Sequence, residues 1–280
     1  MSAAAELHHP GGAADQRRLA RLISGGGVLV LSGAGLSTES GIPDYRGPTG
    51  RLHPATPMTF QEFTASPAAR QRYWARSHRG WQRIEQAQPN DGHKAVARLQ
   101  RAGLLSGVIT QNVDGLHQAA GAREVIELHG GLNRVVCLSC RAVSDRDELD
   151  ERLVSANPAA RGALSTGPVK PDGDVELAEP EIASFRLVDC LDCGAGPLKP
   201  DVVFFGENVP PERVARCYAL VEASRLLLVL GSSLTVASGF RFVRRAAARG
   251  IPVAIVNQGV TRGDPLAEVL LDGPLGALLP

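Results

Sequence analysis

VLVLSGAGLSTESG (Val28–Gly41) is the stretch on which the fold turns. Its opening residues, Val28 to Leu31, are continuously apolar and show none of the alternation of a strand that faces water on one side. A run of that length fits a strand buried on both faces, as central strands of parallel sheets are. The turn Gly33-Ala34-Gly35 follows at once. Glycine there lets backbone N–H groups approach phosphate oxygens, and a following helix would aim its positive end at them. The dinucleotide pattern GxGxxG would place its third glycine where this chain has Thr38, so an ordinary tight turn is the other reading of these residues taken alone.

Working outward, residues 15 to 24 read as a helix that starts near Asp15 and stops at Gly25-Gly26-Gly27. Residues 51 to 90 carry Trp74, Trp81 and several arginines without a strand pattern, which predicts a helical module. Asn90 or Asp91 caps a helix over Gly92–Ala102, and Gly103 ends it. Strands are expected over Gly107–Gln111 and Glu124–Leu128. Periodicity then fades from Gly131 to Pro197, a segment with a CxxC near each end. It returns with DVVFF (Asp201–Phe205), a helix over Pro211–Ala223, the strand RLLLVL, a helix over Gly239–Arg249 and the strand IPVAIV. The order predicts an α/β fold: a doubly wound, Rossmann-like parallel sheet with a smaller inserted zinc-binding module and a helical module. The expected boundaries are a disordered leader (1–14), sheet segments at 15–50, 91–130 and 198–280, the helical module at 51–90 and the metal module at 131–197.

Composition removes several classes. The chain has 280 residues and a net charge of +1, so no global field draws it to nucleic acid or an anionic membrane. Its longest apolar runs, Val28–Leu31 and Leu226–Leu230, fall far short of the ~20 residues that cross a bilayer. The start, MSAAAELHHPGGAADQRR, lacks an apolar signal-peptide core, and a cytoplasmic, monomeric protein is expected. In such a compartment two CxxC pairs favour metal over disulfides. Cys137 with Cys140, and Cys190 with Cys193, supply four thiolates for a closed, structural, tetrahedral zinc. The 49 residues between the pairs exceed the roughly 15 to 20 of common four-cysteine sites, and a redox CxxC is the competing reading. Cys217, inside an apolar helix, reads as a small core residue.

Further motifs lie in a fixed order. GAGLSTESGIPDYRG (Gly33–Gly47), TQNVDGLH (Thr110–His117), ELHG (Glu127–Gly130), FGE (Phe205–Glu207), GSSL (Gly231–Leu234) and NQG (Asn257–Gly259) together resemble the sirtuin family, NAD-dependent protein lysine deacylases. The resemblance implies NAD as co-substrate, structural zinc, and acyl-lysine proteins or peptides as partners. It places Gly33, Ala34, Gly35 and Thr38 at the dinucleotide, and Asp44, Tyr45 and Arg46 in a mobile loop over the ribose and nicotinamide. Gln111 would contact a ribose hydroxyl, and Asn112 and Asp114 the nicotinamide carboxamide and an ordered water. Gly231, Ser232, Ser233, Asn257, Gln258 and Gly259 would hold the adenosine half, with a further contact near Leu275. His129 would be the general base that takes a proton from a ribose hydroxyl, with Asn112 as its catalytic companion. Alone, Asn112-Val113-Asp114 is equally an Asx turn, and a single histidine is commonly structural.

Val203, Phe204, Phe205, Gly206 and Glu207 would form the substrate-facing strand that pairs with an extended peptide. RQRYWAR (Arg70–Arg76) and LKPDVVFFGE (Leu198–Glu207) resemble class II sirtuins of bacterial origin, close to the mitochondrial branch described as lipoamidase, ADP-ribosyltransferase and weak deacetylase. Tyr73 and Arg76 form a YxxR, which in the desuccinylase branch puts a hydroxyl and a guanidinium on an acyl carboxylate. They are also ordinary i, i+3 helix neighbours. The rival functions are a protein ADP-ribosyltransferase on the same NAD site, an NAD-sensing module that docks a partner through the zinc insert, and a nicotinamide dehydrogenase. The last lacks the acidic residue that would end the second strand.

Overall fold

A computed structural model describes residues 12–45, 57–158, 170 and 173–279. Most of the leader, Arg46 and the middle of the 155–180 segment lie outside the described residues. The first helix, α1 (Ala13–Ser24), begins two residues before Asp15 and buries Leu19 and Ile23. It leads into strand β1 (Val28–Ser32), in which every residue is buried, as the uninterrupted apolar run requires.

Five more strands join β1 in one sheet: β2 (Leu105–Thr110), β3 (Val125–Glu127), β7 (Leu226–Leu230), β8 (Val253–Asn257) and β9 (Val269–Asp272). The spatial order is β3-β2-β1-β7-β8-β9, and all neighbours run parallel. This is the Rossmann order, and its direction reverses between β1 and β7. The loops leaving those two strands depart to opposite faces and open a crevice at their carboxyl ends. Two apolar layers cover the sheet, one with α1 and helix Asp91–Arg101, the other with helices Pro211–Ala223 and Ala237–Ala248. Asn90 is the cap of the Asp91 helix, accepting from the His93 amide at 3.2 Å.

Two expectations need correction, and a third region carried no expectation. Among the described residues no long helix follows the glycine turn; Ala34–Leu36 and Thr38–Ser40 are short 3-10 turns. Second, the strand expected over DVVFF is displaced to β6 (Leu198–Val202), and it pairs antiparallel with β4 (Gly130–Cys137), which also pairs with β5 (Val143–Asp145). Val203 and Phe204 then leave the ladder, and Phe205 makes an isolated bridge to Thr59. Third, β9 and the final turn Leu275–Leu278 lacked a pattern long enough to read.

The helical module packs on this small sheet. A Thr59/Glu62 capping box opens Phe60–Ala65, and Ser66 with Pro67 opens Pro67–Glu85. On the second helix Trp74 and Trp81, seven residues apart, face the same way. Their indoles flank the buried Arg146 guanidinium at 5.2 and 4.9 Å, and Asp150 neutralises it at 3.1 Å. This clamp ties the helical module to helix Arg146–Ala156 of the insert.

At Gly231 the loop after β7 meets the turn after β1. Gly231 has a φ of +60°, and a Cβ there would lie 2.2 Å from the Leu36 nitrogen. Gly103 has a similar φ of +73° but open space around it. Gly103→Ala is expected to cost about 1 kcal/mol of backbone strain, whereas Gly231→Ala costs at least ~2 kcal/mol more because main chain must also move. Urea unfolding of both variants checks this; equal losses would show that the close approach carries nothing.

Candidate active site

The crevice at the β1/β7 fork is a cavity of about 600 Å³, within the range of small-molecule and cofactor sites. Its walls include every residue that the motifs assigned to dinucleotide or peptide, except Arg46, which is not described, and Arg76. The glycines of the floor are needed for contact. Gly35 donates from its amide to the Gly231 carbonyl at 2.8 Å, and a Cβ on Gly33 would sit 2.7 Å from that of Ser232. The two loops are therefore pressed together, and side chains there would fill the cradle a pyrophosphate needs.

At the end of β2 the polar residues interlock. The Asn112 side-chain amide donates to the Gly33 carbonyl and to Ser37 Oγ, both at 3.0 Å. Ser37 in turn donates to Asp114 at 2.6 Å. Burial pushes the Asp114 carboxyl upward, opposed by the Ser37 hydroxyl and the Leu116 amide. Gln111 donates to Ser232 Oγ at 2.9 Å and binds the ends of β2 and β7 together. Beyond β8, Asn257 donates to the Gln258 and Gly259 carbonyls at 3.0 and 2.8 Å, which shapes the loop that faces the Ser232-Ser233 turn. Leu275, buried in the last helical turn, closes that end.

His129 sits where the chain passes from the parallel sheet to the small sheet, between β3 and β4. Its Nδ1 lies 2.9 Å from the Gln111 carbonyl, which can only accept, so Nδ1 carries the proton. Nε2 is then a bare acceptor, 2.8 Å from the Ser238 hydroxyl. Burial lowers the pKa, the Gln111 carbonyl opposes that shift, and Arg213 and Arg241 reinforce it. A neutral imidazole with a fixed tautomer and an acceptor nitrogen on the cavity wall is equipped to take a proton at neutral pH. The His129 carbonyl accepts from the Val203 amide at 2.7 Å, so His129 and the segment after β6 share one anchor.

Val203 to Glu207 forms the opposite wall. At its inner end Tyr73 and Phe204, ring centroids 5.2 Å apart, stand beside Met58. Arg76 lies behind this wall with its guanidinium 3.6 Å from Glu176 of the insert. Sequence reasoning singled out neither Ser37 nor Ser238. Ser37 lay inside a quoted motif, whereas Ser238 stands on the first turn of a helix and meets His129 only through the fold.

A second pair of histidines lies beneath the site. His117 Nε2 is 2.8 Å from Ser32 Oγ, Ser32 donates to Thr110 Oγ1 at 2.9 Å, and the Asn112 amide donates to that same Thr110 oxygen at 3.1 Å. His93 packs edge-on at 5.1 Å from His117. Burial drives His93 to about 4. Burial, with His93 adding, drives His117 to about 3.

The four cysteines of the insert converge, with sulfurs all within 4.8 Å of one another. Cys137 to Cys193 and Cys140 to Cys190 are both 3.7 Å. Tetrahedral Zn–S bonds of about 2.3 Å space sulfurs by roughly this distance, whereas a disulfide would need about 2 Å. Gly196 leaves room at the same spot, since a Cβ there would lie 2.2 Å from Cys137 Sγ. The donor set fits structural zinc and leaves no open coordination position.

Two outcomes follow from these groups. Because the folded pKa values of His93 and His117 lie below that of free histidine, unfolding takes up protons in acid. Stability is therefore full above about pH 6.5 and falls as pH drops toward 4, by up to ~1.4 kcal/mol per pH unit for each ring; denaturant unfolding at pH 7 and 5 measures it, and a His93→Gln/His117→Gln variant should show a flatter profile. The purified chain should also hold about one zinc, and chelation should melt the insert and shift Trp74 and Trp81 fluorescence while the parallel sheet persists. Unchanged fluorescence on full metal loss would refute the structural role.

Comparison with known proteins agrees with this geometry. The Sir2 family profile matches residues 33–238. NAD-dependent protein deacetylase 1 of Streptomyces coelicolor is 60% identical over 270 residues, covering 96% of this chain and 89% of that protein. The mitochondrial NAD-dependent protein lipoamidase sirtuin-4 of Bos taurus is 46% identical over 256 residues, covering 90% of this chain and 80% of its own. Among solved structures, a Sir2 enzyme described for its mechanism and regulation superposes with a TM-score of 0.75 at 30% identity, covering 96% of both chains. A Sir2 complex with a p53 peptide and NAD+ gives 0.73 at 30% identity, covering 94% of this chain and 95% of that one. With its glycine fork, its neutral histidine and its four-cysteine insert in one frame, the chain belongs to the Sir2 family.

Proposed function

We propose that the chain is an NAD-dependent protein lysine deacylase, with deacetylation as its core activity. The observation that carries this reading is His129: its proton is fixed on Nδ1, its Nε2 is left as an acceptor beside the Ser238 hydroxyl, and the residue lines a cavity floored by the glycine fork and walled by Val203–Glu207. Relatives named as NAD-dependent protein deacetylases support it across nearly the whole chain.

Bound NAD would supply an electrophilic ribose carbon on loss of nicotinamide, and the acyl oxygen of the modified lysine is its acceptor. Asn112 and Asp114 hold the nicotinamide carboxamide, with Asp114 braced by the Ser37 hydroxyl at 2.6 Å and its carboxyl pushed upward by burial. Gly231 to Ser233 and Asn257 to Gly259 cradle the adenosine half. His129 Nε2 then takes the proton of a ribose hydroxyl, so that the hydroxyl oxygen attacks the acyl carbon. One water is consumed as the acyl carbon is freed from the lysine nitrogen, and the products are free lysine, nicotinamide and O-acyl-ADP-ribose. Val203 to Glu207 aligns the peptide through main-chain pairing, tolerant of sequence.

The acyl end of the cavity is walled by Met58, Tyr73 and Phe204, and Arg76 is engaged by Glu176. Neutral acyl chains suit this wall, and the lipoamidase name of the bovine relative agrees with a long neutral one. His129→Ala should lower kcat at least ~100-fold with nicotinamide release as readout. Retention of full turnover would discard the assignment. Across acetyl-, lipoyl-, succinyl- and glutaryl-lysine peptides, the neutral pair should be preferred; succinyl turnover that Arg76→Ala abolishes would instead give Arg76 the carboxylate-reading role. Labelled NAD in the same assay scores ADP-ribose transfer to protein, which needs no acyl-lysine.

A further inference from the structure

Lys199 is one of only three lysines in the chain, and it is 2% exposed. It lies on β6, just before the segment Val203–Glu207. Its ammonium donates to the Val202 carbonyl at 2.5 Å and to the Pro200 carbonyl at 3.3 Å, and pairs with Glu207 Oε2 at 3.0 Å. The ring of Phe204 stands 4.5 Å from Nζ and that of Phe60 5.8 Å away, which seals the charge from water. A buried ion pair is a weak source of net stability, because desolvation offsets most of the attraction, so its value lies in the geometry it enforces.

That geometry belongs to the peptide-facing wall. The Glu207 oxygen that meets Lys199 also accepts from the Phe204 amide at 2.9 Å, and the Glu207 amide donates back to the Phe204 carbonyl at 3.0 Å. From the other side, the Phe60 amide donates to the Phe205 carbonyl at 2.9 Å and Gln61 donates to the Gly206 carbonyl at 3.1 Å. The wall is thus a short turn closed on a carboxylate, and the carboxylate is fixed from below by one buried ammonium. Remove that charge and Glu207 is left without a counter-ion in a partly buried site, free to turn out to water and release the Phe204 amide.

We propose that Lys199 is the positioning residue for acyl-peptide binding: paired to Glu207, it holds the Val203–Glu207 main chain in the pose that a substrate strand pairs with. This rests on the deacylase reading above. Lys199 itself touches neither the cavity nor the dinucleotide loops, so its effect should be confined to the peptide.

The test is steady-state kinetics on the full chain with an Nε-acetyl-lysine peptide and NAD varied separately. Lys199→Met is expected to raise the peptide KM about tenfold, while the NAD KM and the kcat at saturating peptide stay within about twofold. Lys199→Arg, which keeps the charge, should restore the peptide KM to within about threefold of wild type. Glu207→Gln keeps an acceptor for the Phe204 amide but loses the ion pair, and it should raise the peptide KM as well; it carries the test if Lys199→Met does not fold. An unchanged peptide KM in the charge-removing variant, or peptide and NAD KM rising together, overturns the inference while a turning-over wild type leaves the deacylase reading intact. A wild-type chain inert toward acyl-lysine peptides overturns both.

Discussion

The contact on which the rest depends is the one between the Gly35 amide and the Gly231 carbonyl, 2.8 Å apart at the fork of the parallel sheet. β1 and β7 are neighbours inside the sheet, yet the chain leaves them in opposite directions. Their loops can touch only if neither carries a side chain at the crossing. Once they touch, the floor of a crevice exists and the Gln111, Asn112 and Ser232 side chains have fixed groups to bond. Because the glycine turn runs directly into two short 3-10 turns, close main-chain packing shapes the floor of this crevice.

The second constraint is covalent. β3 ends at Glu127 and β4 begins at Gly130, so the polypeptide changes sheets within three residues, and His129 is carried at the change. Gly130 makes that crossing close: a Cβ on it would lie 1.9 Å from the Asp201 carbonyl. The return strand β6 runs alongside and delivers Val203 to the His129 carbonyl. His129 is therefore placed by the joint between two sheets and Val203–Glu207 by the same joint, so the distance between them does not depend on a loop.

Charge is buried here in a consistent way. Arg146 is stacked between two tryptophans and paired with Asp150, Lys199 is paired with Glu207, and His93, His117 and His129 are kept neutral. The two cations fasten the helical module and the insert, where a hydrophobic contact would hold less precise orientation. Of the three histidines, His129 lines the cavity, and His117 reaches the end of β2 from beneath through Ser32 and Thr110.

Much of this was legible in the residues themselves. An uninterrupted apolar run sets a strand buried on both faces, glycines at a strand end set a close approach, and two CxxC pairs set a metal; each is a local pattern with a local physical cause. Helix Pro211–Ala223 matched its expected bounds, and the apolar run Val28–Leu31 lies inside β1, for the same reason. The boundary of the peptide wall did not, since LKPDVVFF is apolar enough to be a strand at either end and only pairing with β4 decides that Leu198–Val202 enters the ladder and Val203–Phe205 leaves it. Arg76 likewise could face the cavity or the insert from its helix, and the choice fell to Glu176, a hundred residues away in sequence. Sequence by itself determined which chemistry the chain holds, because residue type and short spacing determine that. Which donor meets which acceptor, Ser238 with His129 and Lys199 with Glu207, was decided only when distant segments packed, since no local pattern encodes contacts between them.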